Sequence, residues 1–128
     1  MINKFEMNDA IEEYVNNLAR SKLVRSFYPV AITQALNLPL TLVIEKLSQM
    51  NRENILIKKY EVRCHEGNHI IAVVNDYTNI LGTEIYCKFC NKDIYIGMDN
   101  ISETYFINDE YIKYLKKKVF MPRTGKQV

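Results

Sequence analysis

One short stretch, YCKFCNK at residues 86–92, sets the terms on which this chain can fold. Cys87 and Cys90 stand in Cys-x-x-Cys spacing, which lets both thiolates reach one metal ion, and such a knuckle needs a second pair of ligands to complete four-coordination. The third cysteine, Cys64, lies in RCHEGNH with two histidines, His65 and His69. Neighbours on an extended chain point to opposite faces, so Cys64 and His65 are poorly placed to share an ion. Between Cys64 and His69 stand Gly67 and Asn68, residue types that let a chain turn back. The expected ligand set is therefore Cys64, His69, Cys87 and Cys90, and the expected ion is structural Zn2+. Two other readings of the cysteines stay open at this level: small buried thiols in a site without its ion, and a redox pair, which here lacks a βαβ setting. An odd number of cysteines argues against a disulfide framework.

The chain has 128 residues, 48% of them apolar and 25% charged. That is enough to bury a core in one domain or in two small modules. Its purely apolar runs are short, IIAVV at residues 70–74 among them. A membrane span needs about 20 such residues and a secretory leader a basic start before an apolar run, so the expected location is the cytoplasm, with no membrane partner. Charge is unevenly spread. Residues 1–63 carry nine Lys/Arg against seven Asp/Glu, residues 64–110 two against eight, and residues 111–128 six against none.

Apolar spacing in the first half predicts a helix through AIEEYVNNLAR, capped by Asn8 or Asp9, with Ile11, Tyr14, Val15 and Leu18 on its inner side. A short helix, VAITQALN, follows Pro29 with Val30, Ala31 and Ala35 inward. After the NLPL turn a third helix runs from Leu40 or Thr41 to Asn51 around Val43, Leu47 and Met50, and ILIKKYEVRC reads as a strand. Helix, short helix, turn, helix, strand is the order of a helix-turn-helix with a wing, and residues 7–62 resemble winged-helix domains. That resemblance implies double-stranded DNA as one partner class, met through Thr41, Lys46, Gln49 and Arg52 on the third helix and Lys58 and Lys59 on the wing. Arg20, Lys22 and Arg25 are further candidate phosphate contacts. The first turn of that helix is greasy, with Leu40, Leu42, Val43 and Ile44; Leu40 and Leu42, if both are exposed, point instead to a protein partner.

From Cys64 the chain reads as short strands, HIIAVV, EIY, DIYIGM and SETYFIN, with NDYTNILG as a turn. Asn108 then caps a last helix, DEYIKYLKKK, with Tyr111, Tyr114 and Leu115 on one side, before a basic tail with the character of a flexible end. The spacing of Cys64, Cys87 and Cys90 resembles zinc ribbons, in which two Cys-x-x-Cys pairs lie some twenty residues apart. It departs from them at Gly67, where the second cysteine of the first pair would fall. A β module this small has little core, so a metal staple would help it fold. Nine tyrosines, most of them in the second half, fit strand packing or a partner interface.

Catalytic patterns are not found. Both histidines lie in the metal loop, the four glycines are scattered, and a zinc ion held by four protein ligands leaves no position for an activated water. The expected architecture is α+β: a winged-helix-like segment at 1–63, a zinc-ribbon-like β module at 64–107, and a C-terminal helix and basic tail at 108–128. The two resemblances together imply a non-enzymatic adaptor or regulator of the kind bacteria and phages use beside larger defence effectors, docking on a larger protein. A DNA-binding regulator is the alternative, with homodimerisation through the first or last helix.

Overall fold

The computed structural model describes residues 3–21 and 23–120, with side chains up to residue 117. Lys22 and the tail MPRTGKQV lie outside the described residues. The fold is α+β. In chain order its elements are α1 (Lys4–Arg20), β1 (Ser26–Phe27), α2 (Pro29–Leu36), α3 (Leu40–Arg52), β2 (Leu56–Arg63), β3 (Ile70–Val74), β4 (Glu84–Cys87), β5 (Lys92–Tyr95), β6 (Ile101–Ile107) and α4 (Asp109–Phe120). The strands form a four-stranded sheet in the order β1-β6-β2-β3 and a two-stranded sheet of β4 and β5. Contacts divide the chain into two units, Met1–Ile57 with Phe106–Val128, and Lys58–Tyr105, so the second is an insertion into the first. Among the described residues no helix is long and apolar enough to cross a membrane.

The first unit is helical. α1 begins at Lys4 rather than after Asn8 or Asp9, because Asn3 closes a capping box: the Glu6 amide donates to Asn3 Oδ1 (2.9 Å) and the Asn3 amide to Glu6 Oε1 (3.2 Å). Its buried stripe is Ile11, Val15 and Ala19, with Tyr14 and Leu18 half-buried. α2 starts on Pro29, whose fixed φ suits the first helical position. That start turns Pro29 and Ile32 inward, whereas Val30 (49% exposed) and Ala35, expected inside, face out. Asn37 ends α2 in the left-handed region (φ 56°, ψ 49°), a conformation Asn tolerates better than most residues. α3 then buries Val43, Leu47 and Met50 completely, as its spacing predicts.

α3 also buries Lys46, which is 8% exposed and paired with Glu12 of α1 at 3.3 Å. A desolvated ammonium needs such a partner, so this lysine ties two helices together instead of facing solvent. α4 packs on α1 through Ile112 and Leu115; Tyr111 Oη donates to Asn16 Oδ1 at 2.6 Å, and Tyr114, expected on the same side as Tyr111 and Leu115, is 55% exposed. Asn108 caps α4 as expected, its Oδ1 accepting from the Glu110 amide (2.9 Å), and its own amide side chain donates to the Asn54 carbonyl (2.8 Å).

The second unit is two hairpins and a turn. β2 and β3 pair antiparallel with Val62 opposite Ala72, and β4 and β5 pair with Ile85 opposite Ile94. Its small core is Val62, Cys64, Cys87, Ile94 and Ile96, flanked by half-buried residues such as Ile71, Ile80 and Leu81. NDYTNILG forms the expected turn, with Asp76 Oδ1 accepting from the Thr78 amide (3.0 Å) and Tyr77 edge-on to Tyr60 at 4.7 Å.

Two substitutions separate packing from charge in the helical unit. Leu47→Ala should lower stability by about 2–5 kcal/mol through cavity formation, whereas Lys46→Met, which replaces a buried charge by a hydrophobe of similar length, should stay within about 1 kcal/mol of the parent. Urea unfolding followed by circular dichroism checks both.

Candidate metal centre

Each hairpin of the second unit carries half of the site at its turn. Cys64 follows the last residue of β2 and His69 precedes the first of β3; Cys87 ends β4 and Cys90 lies two residues before β5. The ligand atoms of Cys64, His69, Cys87 and Cys90 all lie within 4.8 Å of one another, close enough to hold a metal ion. Cys64 Sγ is 3.4 Å from His69 Nδ1 and 3.7 Å from Cys90 Sγ. His65 is not part of this cluster: its Nε2 faces Asp99 at 3.4 Å, on the exposed surface.

The first turn is shaped by its backbone. The Cys64 amide donates to the His69 carbonyl (3.1 Å), the His69 amide to Cys64 Sγ (3.4 Å), and Asn68 takes a left-handed φ of 53°. Gly67 leaves room for the His69 ring in this position. A Cβ at that position would lie 2.0 Å from His69 Cε1, so the glycine standing where a second cysteine would fall is what admits the imidazole. Arg63 braces the loop by donating to the Asn68 carbonyl (2.9 Å) while pairing with buried Glu61 (2.8 Å). Asn100, 2% exposed, donates to the Arg63 carbonyl (2.8 Å) and holds the strand end that leads into Cys64.

The second turn is closed by the Asn91 amide donating to the Cys87 carbonyl at 2.7 Å, with Asn91 at a left-handed φ of 58°. Phe89, inside the Cys-x-x-Cys, stacks on the His69 ring with centroids 4.5 Å apart and planes 19° apart. An ion pair between Lys92 and Glu66 joins the two turns. Phe89, Gly67 and Asn91 shape the ligand cluster in ways that ligand spacing alone does not reveal. An aromatic inside the knuckle and an asparagine just after it were the available signals.

Electrostatically the thiols are unequal. Burial raises the Cys64 thiol, but hydrogen bonds from the His69 and Gly67 backbone and from the His69 and Cys90 side chains outweigh it and bring Cys64 down to about 6. Burial pushes Cys90 up to about 11, helped by its hydrogen bonds to Cys64 and Cys87 and by their negative charge. Metal binding needs deprotonated thiols, so Cys64 is ready at neutral pH while Cys90 gives up its proton on binding.

The sequence-expected surface residues are spread out. Thr41, Gln49 and Arg52 are exposed on α3, and Gln49 donates to Glu53 at 3.4 Å. Lys46, expected on that surface, is buried against Glu12. Lys58 pairs with Glu103 at 3.3 Å and leans over the Tyr60 ring, and Lys59 is half-buried.

Gly67→Ala should weaken metal binding about 10- to 100-fold by displacing His69, whereas Asn68→Gly should leave it near the parent value; competition with a chromogenic chelator measures both. Acid should also release the metal. A depressed thiol pKa means the Cys64 thiolate is present above about 6 and is lost below it, so the proton competes for that ligand only below about 6 and metal affinity, followed by chelator competition, should fall more steeply with pH below about 6 than above it.

No family model, curated protein or solved structure matches this chain.

Proposed function

We propose that this chain is a non-enzymatic, zinc-stabilised interaction module: a winged-helix-like helical unit carrying a zinc-ribbon-like insert, which docks on a larger protein. The observation that carries this reading is the Cys3His cluster, with four ligand atoms within 4.8 Å of one another. Soft thiolate and imidazole donors in a set of four suit tetrahedral Zn2+, and four protein ligands use up its coordination, which is the pattern of a structural rather than a catalytic ion. Zinc supplies folding free energy in such a site. The residues Cys64, His69, Cys87 and Cys90 bind, and Gly67 and Phe89 orient the imidazole.

The order α1, β1, α2, α3, β2 supports the helix-turn-helix reading, and the neighbouring strands β2 and β6 stand where a wing would be, with the metal unit between them in the chain. A protein partner is favoured over DNA by the lysines. Two of the seven expected phosphate-contacting cations, Lys46 and Lys58, are engaged by Glu12 and Glu103, which lowers the charge available for counterion release. Exposed apolar residues gather instead on the second hairpin and just beyond it, where Tyr86, Phe89, Tyr95 and Met98 are all more than half exposed. A cytoplasmic adaptor or regulator, including one serving a bacterial defence effector, fits these features.

Elemental analysis tests the central claim: about one zinc per chain in the parent, and loss of the metal with unfolding of the insert in Cys87→Ser and His69→Ala. A parent protein without zinc overturns it. Co-purification with a larger partner at high salt supports docking, whereas salt-sensitive retardation of duplex DNA, abolished by Lys58→Ala with Lys59→Ala, supports the DNA-binding alternative.

A further inference from the structure

The β4–β5 hairpin has one inward and one outward face. Ile85 and Ile94 pair on the inner face, where Ile94 is buried in the core of the unit. On the outer face Glu84 stands opposite Tyr95, and Tyr86 stands opposite Asp93. The result is a checkerboard: two tyrosines on one diagonal and two carboxylates on the other, all four side chains exposed, with Tyr86 and Tyr95 at 56% and 64%. Cβ atoms of cross-strand neighbours on one face lie about 5 Å apart, so each tyrosine and its opposite carboxylate spring from adjacent points of this face.

The carboxylates are the informative part. Of the other acids of this unit, Glu61 pairs with Arg63, Glu66 with Lys92, Asp99 with His65 and Glu103 with Lys58, while Asp76 accepts from the Thr78 amide and hydroxyl. No lysine or arginine of the described residues pairs with Glu84 or Asp93. The aromatic rings beside them are equally uncovered, although Tyr86 Oη donates to Asn91 Oδ1 at 3.2 Å and so holds its ring over the turn.

We propose that this face binds an extended segment of a partner protein carrying arginines at alternate positions. A guanidinium stacks on a tyrosine face and at the same time donates to a neighbouring carboxylate, which is the pairing each half of the checkerboard offers. Side chains two residues apart on an extended strand point the same way and are spaced to meet both halves at once. Charge decides against nucleic acid. Two unpaired carboxylates would face the phosphates, in a stretch, residues 64–110, with eight acidic and two basic residues. This deepens the docking function proposed above and rests on it, naming the surface and the chemistry of the partner.

The test uses the zinc-loaded full chain and a synthetic peptide of alternating arginine and threonine, with a lysine and a glutamate analogue as controls. In 15N NMR titration the arginine peptide should shift the amides of β4 and β5 selectively, more strongly than the lysine peptide, with the glutamate peptide inactive. Tyr86→Ala with Tyr95→Ala should weaken binding about fivefold, and Glu84→Lys with Asp93→Lys should abolish it. All four side chains are exposed, so the spectra of both variants should remain those of a folded, zinc-bound chain. Shifts scattered over other acidic surfaces, equal binding of lysine and arginine peptides, or binding unchanged in the charge-reversed variant would each overturn the proposal. A peptide of the chain's own residues 111–128 binding this face more tightly than the arginine peptide would also overturn it, by reassigning the occupant. If the arginine peptide fails while zinc is stoichiometric and a larger protein co-purifies, the docking function stands and this surface is wrong.

Discussion

Four soft donor atoms brought within reach of one another by two separate turns are the constraint on which the inserted unit depends. Two of the donors are part of its hydrophobic core, in which Cys64 and Cys87 pack with Val62, Ile94 and Ile96. Without a cation the cluster must share its charge. Hydrogen bonds stabilise the thiolate of Cys64 near neutral pH, while burial first, and then the hydrogen bond and negative charge of Cys64 at 3.7 Å, hold the thiol of Cys90 protonated. A divalent ion removes that conflict and converts the most awkward polar group of a small core into its tightest junction.

Much of the site was legible because ligand chemistry is strict about spacing and direction. Cys-x-x-Cys identified one pair, and the alternation of an extended chain separated His69 from His65, which the structure turns toward Asp99. The steric role of Gly67 was not legible. Glycine was expected for its freedom to bend, yet its structural part lies in the space it leaves to the His69 ring, which any Cβ would displace. The stacking of Phe89 on that ring depends on how two turns face each other, which no local pattern encodes.

The helical unit shows the same division. α3 was readable because thirteen residues with an unbroken apolar stripe override local ambiguity. α2 has only eight residues, most of them apolar, so its periodicity could not fix which side faced inward, and Pro29 fixed it instead. α1 is capped five residues before the expected Asn8 because Asn3, with Glu6 three residues on, closes a capping box that competes with the later polar residues. Lys46 is the instructive case. A lysine in the helical pattern reads as solvent-facing, and only the presence of Glu12 on a neighbouring helix makes its burial tolerable.

The placement of the insert bears on how long it can be. Lys58–Tyr105 leaves the helical unit from β2 and returns to it through β6, two strands that neighbour each other in one sheet. Closing a loop becomes easier as the loop shortens, by only about 0.6 kcal/mol for each halving, so the helical scaffold is nearly indifferent to what spans that gap. Loop closure alone therefore sets only a weak limit on the length of the segment that the two strands carry between them.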